Sequence, residues 1–355
     1  MQKRIFIIVF GVFFCIELQA QLGGKTVFQF LRLPTSARSA SLGGTNVSVY
    51  DSDPNLVTQN PAILDSSHHN QLVMNMFTFL PGTKSGYSGF SRNISRIACF
   101  GAGIQYLNYG NMAEYDEIGN NTGSFHASET SLNIYASRKL ASKIRAGVSL
   151  KNVFSYLDEY NSYAIAFDLG AIYFDPEKLF GIGLVAKNIG YQIDGYFEDD
   201  HQKLPLDIQL GYSQKFKHAP FRMSYTMQHL EQWDLTYKNT NYPNDYFDPF
   251  TGEEKTKSKL EKFSDNLLRH SIFSVEIVPT KNFFINIGYN HLRRKELALR
   301  TRGGMSGFSW GFGLKISKFQ ISYARATYSI TGSSNHFSIR TDISQFKKQN
   351  IKANI

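Results

Sequence analysis

Ser36-Ala37-Arg38-Ser39-Ala40-Ser41-Leu42-Gly43-Gly44-Thr45-Asn46-Val47-Ser48-Val49-Tyr50-Asp51-Ser52-Asp53-Pro54, with Asn60-Pro61-Ala62 a few residues on, differs in kind from the rest of the chain. Ser36 to Leu42 is a run of small residues that predicts one or two turns of helix. Gly43-Gly44 stops it, as glycine does just past a helix end. Thr45 to Tyr50 alternates weakly and predicts a short strand. Asp51 to Pro54 reads as a turn, since Asp, Ser and Pro each favour turn geometry. Asn60-Pro61-Ala62 restarts the chain, with proline suited to a first helical position. Small residues let backbones approach closely, so this segment suits the inside of a larger structure better than an independent domain.

The remainder alternates with period two, the signature of strands with one apolar face. Ile144, Ala146, Val148, Leu150 and Phe154 oppose Arg145, Gly147, Ser149, Lys151 and Ser155. Phe308, Trp310, Phe312, Leu314 and Ile316 oppose Gly307, Ser309, Gly311, Gly313 and Lys315. Segments of this kind predict about fourteen strands, an even number as in bacterial single-chain barrels. Their connections alternate between short turns and longer loops, the longer ones being 109–124, 191–204, 231–267 and 293–303. Short turns at one end and long loops at the other are the habit of outer-membrane barrels. The fold expected is all-β, an antiparallel transmembrane barrel of about 14 strands. A soluble β-sandwich is the alternative. The polar faces carry Gly, Ser, Asn and Gln rather than many charges, which predicts a crowded lumen and not an open aqueous pore.

Composition agrees. Of 355 residues, 14% are aromatic, with 29 Phe and 20 Tyr. Mean hydropathy is −0.28, low because a barrel hides its apolar residues in alternation. The formal charge of +9 is scattered without a basic helix or stripe, so nucleic acid is not an expected partner. Residues 1–20 read as an export signal: Lys3-Arg4, an apolar run from Ile5 to Ile16, then Leu18-Gln19-Ala20. That run is too short for a membrane helix. Cys15 goes with the signal, leaving Cys99 alone as a packed strand residue and no internal disulfide.

Ser36 to Asp51, followed by Asn60-Pro61-Ala62, resembles the N-terminal segment of FadL-type outer-membrane barrels. There a small-residue helix, a Gly-Gly, an acidic turn and an Asn-Pro-Ala form a hatch in the pore. The longer run from Gly24-Lys25-Thr26-Val27-Phe28-Gln29-Phe30-Leu31 to Pro61 is similar to the type IX secretion branch of these barrels in Bacteroidetes. The resemblance implies a hatch or plug over 21–66, with Gly43, Gly44, Asp51, Asn60, Pro61 and Ala62 as its structural residues. A barrel over 67–346 and a periplasmic tail over 347–355 would follow. It implies an outer-membrane component that is not an enzyme. Such a barrel anchors a surface attachment protein (PorZ-like), beside other secretion barrels, in the complex that joins cargo to lipopolysaccharide. A FadL-like transporter of hydrophobic small molecules is the competing expectation.

Other motifs carry bland readings. His68-His69 after Asp65 lacks further ligands at metal spacing and reads as solvated. Asp51-Ser52-Asp53 begins like a calcium loop, but Leu56 and Ala62 stand where glycine and glutamate belong. Gly101-Ala102-Gly103 and Gly181-Ile182-Gly183 precede no helix and are not phosphate loops; they leave room for close approach. No Gly-x-Ser-x-Gly elbow is present. No catalytic residue, metal or cofactor is expected. In the loop 231–267, Trp233, Tyr237, Tyr242, Tyr246, Phe247 and Phe250 flank a charged run. It is either a solvated loop or a partner-docking site, since aromatics anchor interfaces.

Overall fold

The computed structural model describes residues 26–78, 82–94, 98–198, 201–236, 258–280, 282–297, 304–328 and 332–347. Fourteen strands form a closed antiparallel barrel. They are β1 (Gln71–Thr78), β2 (Lys84–Asn93), β3 (Cys99–Tyr115), β4 (Asn121–Ala141), β5 (Ile144–Leu157), β6 (Tyr160–Asp175) and β7 (Phe180–Asp194). The ring continues with β8 (Asp207–Lys215), β9 (Phe221–Met227), β10 (Ser271–Thr280), β11 (Phe283–Asn290), β12 (Phe308–Ile316), β13 (Phe319–Thr327) and β14 (Ser333–Asp342). Each pairs with its sequence neighbours. The ring closes where β1 meets β14, Gln71 opposite Asp342 through Thr78 opposite Asn335. Closure gives every strand a partner on both sides through the body of the ring, which a hydrocarbon environment requires.

The alternation sorts side chains as the sequence implied. Each strand turns at least one large apolar side chain outward: Met74 on β1 is 55% exposed, Leu184 on β7 51% and Phe337 on β14 55%. An apolar belt of this kind facing outward all round suits lipid, and excludes a sandwich whose apolar faces pack on each other. The inward positions are buried and polar, among them Ser131, Ser149, Gln209, Ser224, Asn286, Ser309 and Ser338.

The two ends of the barrel differ. At one end, β4 meets β5 across 142–143, β10 meets β11 across 281–282 and β12 meets β13 across 317–318. The start of β1 and the end of β14 lie at that same end. The other end carries 195–206, 228–270 and 291–307.

Three differences from the expected elements have physical causes. The stretch 109–124 is not a loop: β3 and β4 continue as a paired hairpin to a tip at 116–120, with register shifts at Asn108/Asn111 and Glu114/Tyr115. Exposure there falls on both faces, so the apolar alternation fades while the backbone ladder persists. The long loops also hold helices. Helix α2 (Lys259–His270) opens on a capping box in which Ser258 and Glu261 satisfy each other's backbone N–H, and α3 (His291–Leu297) follows β11. Thr45 to Tyr50 forms no strand, because its polar groups bond to the wall instead of to a partner strand.

Residues 26–70 lie inside the ring. Helix α1 (Ala37–Ser41) is capped by Ser36 and ends at Gly43-Gly44, both in the left-handed region (φ 92° and 105°). Short 3₁₀ turns follow at Pro54–Leu56 and Pro61–Ile63, capped by Asp53 and Asn60, each with proline in first position. A last helix, α4 (Ser344–Lys347), follows β14.

Candidate functional site

The inner segment is fastened to the wall on many sides. Ala37 N–H donates to Ser338 Oγ on β14 at 2.8 Å. Ser309 Oγ on β12 accepts from Gly43 N–H and donates to Ser41 O, both at 3.1 Å. Thr45 donates to Gln209 on β8 at 2.8 Å, and Asn46 to Ser224 on β9 at 2.9 Å. Arg145 on β5 donates to Leu64 O at 2.7 Å, and Gln105 on β3 to Phe30 O at 3.0 Å. Asn60, read as a restart of the chain, caps Ala62 N–H and donates to Val47 O at 2.8 Å and to Ala171 O at 3.3 Å.

The approach is close enough to dictate wall residues. A Cβ on Gly183 of β7 would collide with Val47 O, and one on Gly288 of β11 with Gly43 N. On the segment itself, a Cβ at Gly44 would lie 2.6 Å from Arg293 Nη2, and the left-handed backbone there already favours glycine.

At the centre is a charge cluster. Arg38 on α1 meets Asp51 at 2.6 Å, Asp53 at 3.1 Å and Glu276 of β10 at 3.0 Å. Arg222 of β9 meets Asp51 at 2.8 Å and Glu276 at 2.9 Å, while Arg340 of β14 reaches Asp53 at 3.5 Å. Three guanidinium groups thus face three carboxylates, and the buried charge balances. Burial disfavours an ionised Asp51, but Arg38 and Arg222 outweigh it and hold its carboxyl well below the usual range. Asp53 is lowered in the same way, by Arg340 and Arg38 acting against burial. These arginines occupy the carboxylates that a calcium loop would have needed. Arg38, Arg222 and Glu276 escaped the sequence reading. The available signal was a lone charge in a run of small residues and isolated charges on polar strand faces.

Near the long-loop end a cavity of about 140 Å³ opens between the inner segment and the wall. Arg32, Gly43, Gly44, Thr45, Lys187, Asp207, His229, Asn290 and Arg293 are among its lining residues. On β7 the alternation Gly181, Gly183, Val185, Lys187 points Lys187 inward, and a bulge in which Lys187 and Asn188 both face Asp168, between the pairs Phe167–Ile189 and Leu169–Ala186, turns Asn188 inward as well. Asn188 takes φ 58°, and its N–H donates to Asp168 Oδ1 at 2.8 Å. Asp207, His229 and Glu231 bring three metal-ligand atoms within 4.8 Å of one another. Their oxygens already accept hydrogen bonds. Asp207 accepts from His229 N–H at 2.9 Å and from Gln209 at 2.6 Å, and Glu231 accepts from Ile208 N–H at 2.8 Å. Burial works against a charged His229, yet Asp207 and Glu231 raise its pKa, so the group reads as an ion pair.

Of the aromatic loop residues, Trp233 alone is described; Tyr237, Tyr242, Tyr246, Phe247 and Phe250 lie outside the described residues, as do 1–20 and most of the tail. Trp233 packs on α2, its ring 5.4 Å from Phe263 and 5.3 Å from His270. His68 is buried rather than solvated, because its Nδ1 pairs with Asp65 Oδ1 at 2.9 Å; His69 is exposed. Cys99 is buried against Val57, Leu64 and Tyr135.

No family model and no curated protein matches the chain. Among solved structures it is similar to the toluene transporter TbuX of Ralstonia pickettii, with a TM-score of 0.50 and 12% identity over 89% of this chain and 100% of that one. It is also similar to the toluene transporter TodX of Pseudomonas putida (TM-score 0.49, 12% identity, 87% and 96% covered). A third is a FadL homologue of Pseudomonas aeruginosa (TM-score 0.46, 11% identity, 87% and 98% covered). At such identities the likeness is one of fold.

Proposed function

We propose that the protein is an outer-membrane channel whose segment 26–70 acts as a resident plug, and that it passes small hydrophobic molecules when the plug shifts. The observation that carries this reading is the occupied lumen. A closed ring surrounds a segment that, beyond its junction with β1, is held by hydrogen bonds and ion pairs, which can be exchanged one for another. The shared fold with a toluene transporter supports it. An apolar cluster inside the ring, where Phe28, Phe30 and Leu31 pack against Leu107, Val153 and Ala164, would offer such a molecule a surface once the plug shifts. In this reading Gly43, Gly44, Asp51, Asn60, Pro61 and Ala62 shape the plug, and residues 1–20 are removed on export. Cells lacking the gene should take up toluene-sized apolar compounds more slowly, and the wild-type gene should restore uptake. Unchanged uptake would overturn the transport reading.

A second reading is the type IX secretion barrel of the PorQ kind, docking a PorZ-like attachment protein beside other secretion barrels and lipopolysaccharide. Trp233 (40% exposed), Leu260 (77%) and Phe263 (52%) favour it by placing an apolar surface at the long-loop end. Deleting 240–260 should leave a folded, heat-modifiable barrel while a surface protein is lost to the medium. Retention of every surface protein would argue against docking.

A further inference from the structure

We propose that the cavity beside Lys187 is a binding site for a compact dianionic oxyanion of the phosphate class. The inference stands apart from the transport reading and requires no movement of the plug.

Besides His229, three cations line the cavity, and each has donors to spare. Lys187 is 7% exposed, and its ammonium makes no hydrogen bond or salt bridge among the described residues. Arg32 spends one nitrogen on Leu206 O at 3.0 Å, and its Nε is buried without a partner. Arg293 reaches Gly43 O at 3.4 Å through Nη2 and lies over the Tyr328 ring at 4.3 Å; its Nη1 is buried and unpartnered. A buried donor without an acceptor is costly, and a buried charge without a counter-charge more so. Such donors converging on one space mark a place for an acceptor-rich group.

Charge sets the class of ligand. Asp207 is the carboxylate on the lining, and it faces His229. The nearby Asp168 is already paired with Lys151 at 2.8 Å. Asp207 and Glu231 share His229, which leaves one negative charge in that group, and Arg32, Lys187 and Arg293 stand against it, so positive charge is in excess, which a dianion would reduce. A divalent cation at the Asp207–His229–Glu231 cluster would face the same arginine and lysine and is disfavoured. Guanidinium forks suit the oxygens of a phosphoryl group, with lysine as a point charge. Size sets the rest. A cavity of about 140 Å³ holds a phosphoryl group and a few waters but no long chain. The bulge adds Asn188 to the lining: without it, β7 would alternate through Lys187 and Asn188, and both could not point inward.

The test uses the purified full-length barrel in detergent micelles, with folding checked by heat-modifiable migration. Binding is read by equilibrium dialysis against inorganic phosphate and, separately, glycerol 3-phosphate, with octanoate as a monoanionic competitor. Saturable binding of one oxyanion per chain is expected, weakened tenfold or more in Lys187→Gln and in Arg293→Gln and unchanged in Lys215→Gln at the opposite end. Tighter binding of inorganic phosphate identifies the free ion, and tighter binding of the ester identifies the head of a larger molecule; either result supports the site. Absence of saturable binding to the wild type would overturn it, as would full binding by a folded Lys187→Gln or Arg293→Gln protein, or displacement by octanoate at equal concentration.

Discussion

Arg38 bears more of the interior than any residue singled out from the sequence. It joins α1, the turn at Asp51–Asp53 and Glu276 of the wall through contacts of 2.6–3.1 Å. Removing one member of a buried ion cluster leaves the others uncompensated, a loss of about 3–5 kcal/mol. Arg38→Met should therefore cut hydrogen-exchange protection of amides in 37–56 by about two to four orders of magnitude, with the barrel strands less affected. The same cluster sets a pH dependence. Asp51 and Asp53 have folded pKa values below the unfolded value, so they bind fewer protons when folded. Their contribution is complete above about pH 4 and is lost as pH falls through the folded values. Channel conductance in planar bilayers should stay low at neutral pH and rise only under strong acid. Gly43-Gly44 and Asn60-Pro61 were legible because a helix stop and a capped proline are local. Arg38 was not, since its wall partner lies 238 residues away and nothing in a small-residue run names it.

Among the elements, strands were legible wherever lipid lay on one side and the inner segment on the other. Where that asymmetry ends, the pattern ends too. The outer parts of β3 and β4 meet water on both faces, so a ladder seventeen and twenty-one residues long looked like two shorter strands and a loop. Helix α2 was hidden differently: its capping box at Ser258 and Glu261 and its spaced Leu260 and Phe263 sat beside a charged run that read as loop. The two faces of β5 give a direct comparison. Leu150 points outward near the middle of its strand, so Leu150→Arg should destabilise the barrel by about 2–4 kcal/mol in urea titrations in lipid. Ser149 is fully buried beneath the inner segment, so arginine there meets protein rather than an open lumen. Ser149→Arg should therefore raise conductance by displacing that segment, which Leu150→Arg should not do. Equal conductance of the two variants would mean the faces are wrongly assigned.

For the molecule as a whole, the ends of the ring define an orientation. The short turns, the start of β1 and the end of β14 share one end, and by the habit of such barrels that end is expected to be periplasmic. In a Cys99→Ser background, a cysteine at Asn120 on the β3–β4 tip should react with an impermeant thiol reagent on whole cells. One at Lys217 in the turn after β8 should not. Labelling at Lys217 alone would invert the molecule in its membrane.

The seam between β1 and β14 has a consequence for how the chain assembles. It joins the first strand to the last, so it is the most sequence-distant pairing in the sheet and the slowest kind to form. Segment 26–70 leads directly into β1 and therefore hangs at that seam. Wall glycines such as Gly183 and Gly288 are moulded to it. Threading it into a finished ring would mean passing it through a hole of its own width. The order to expect is that the sheet curls around a segment already in place and the seam shuts last.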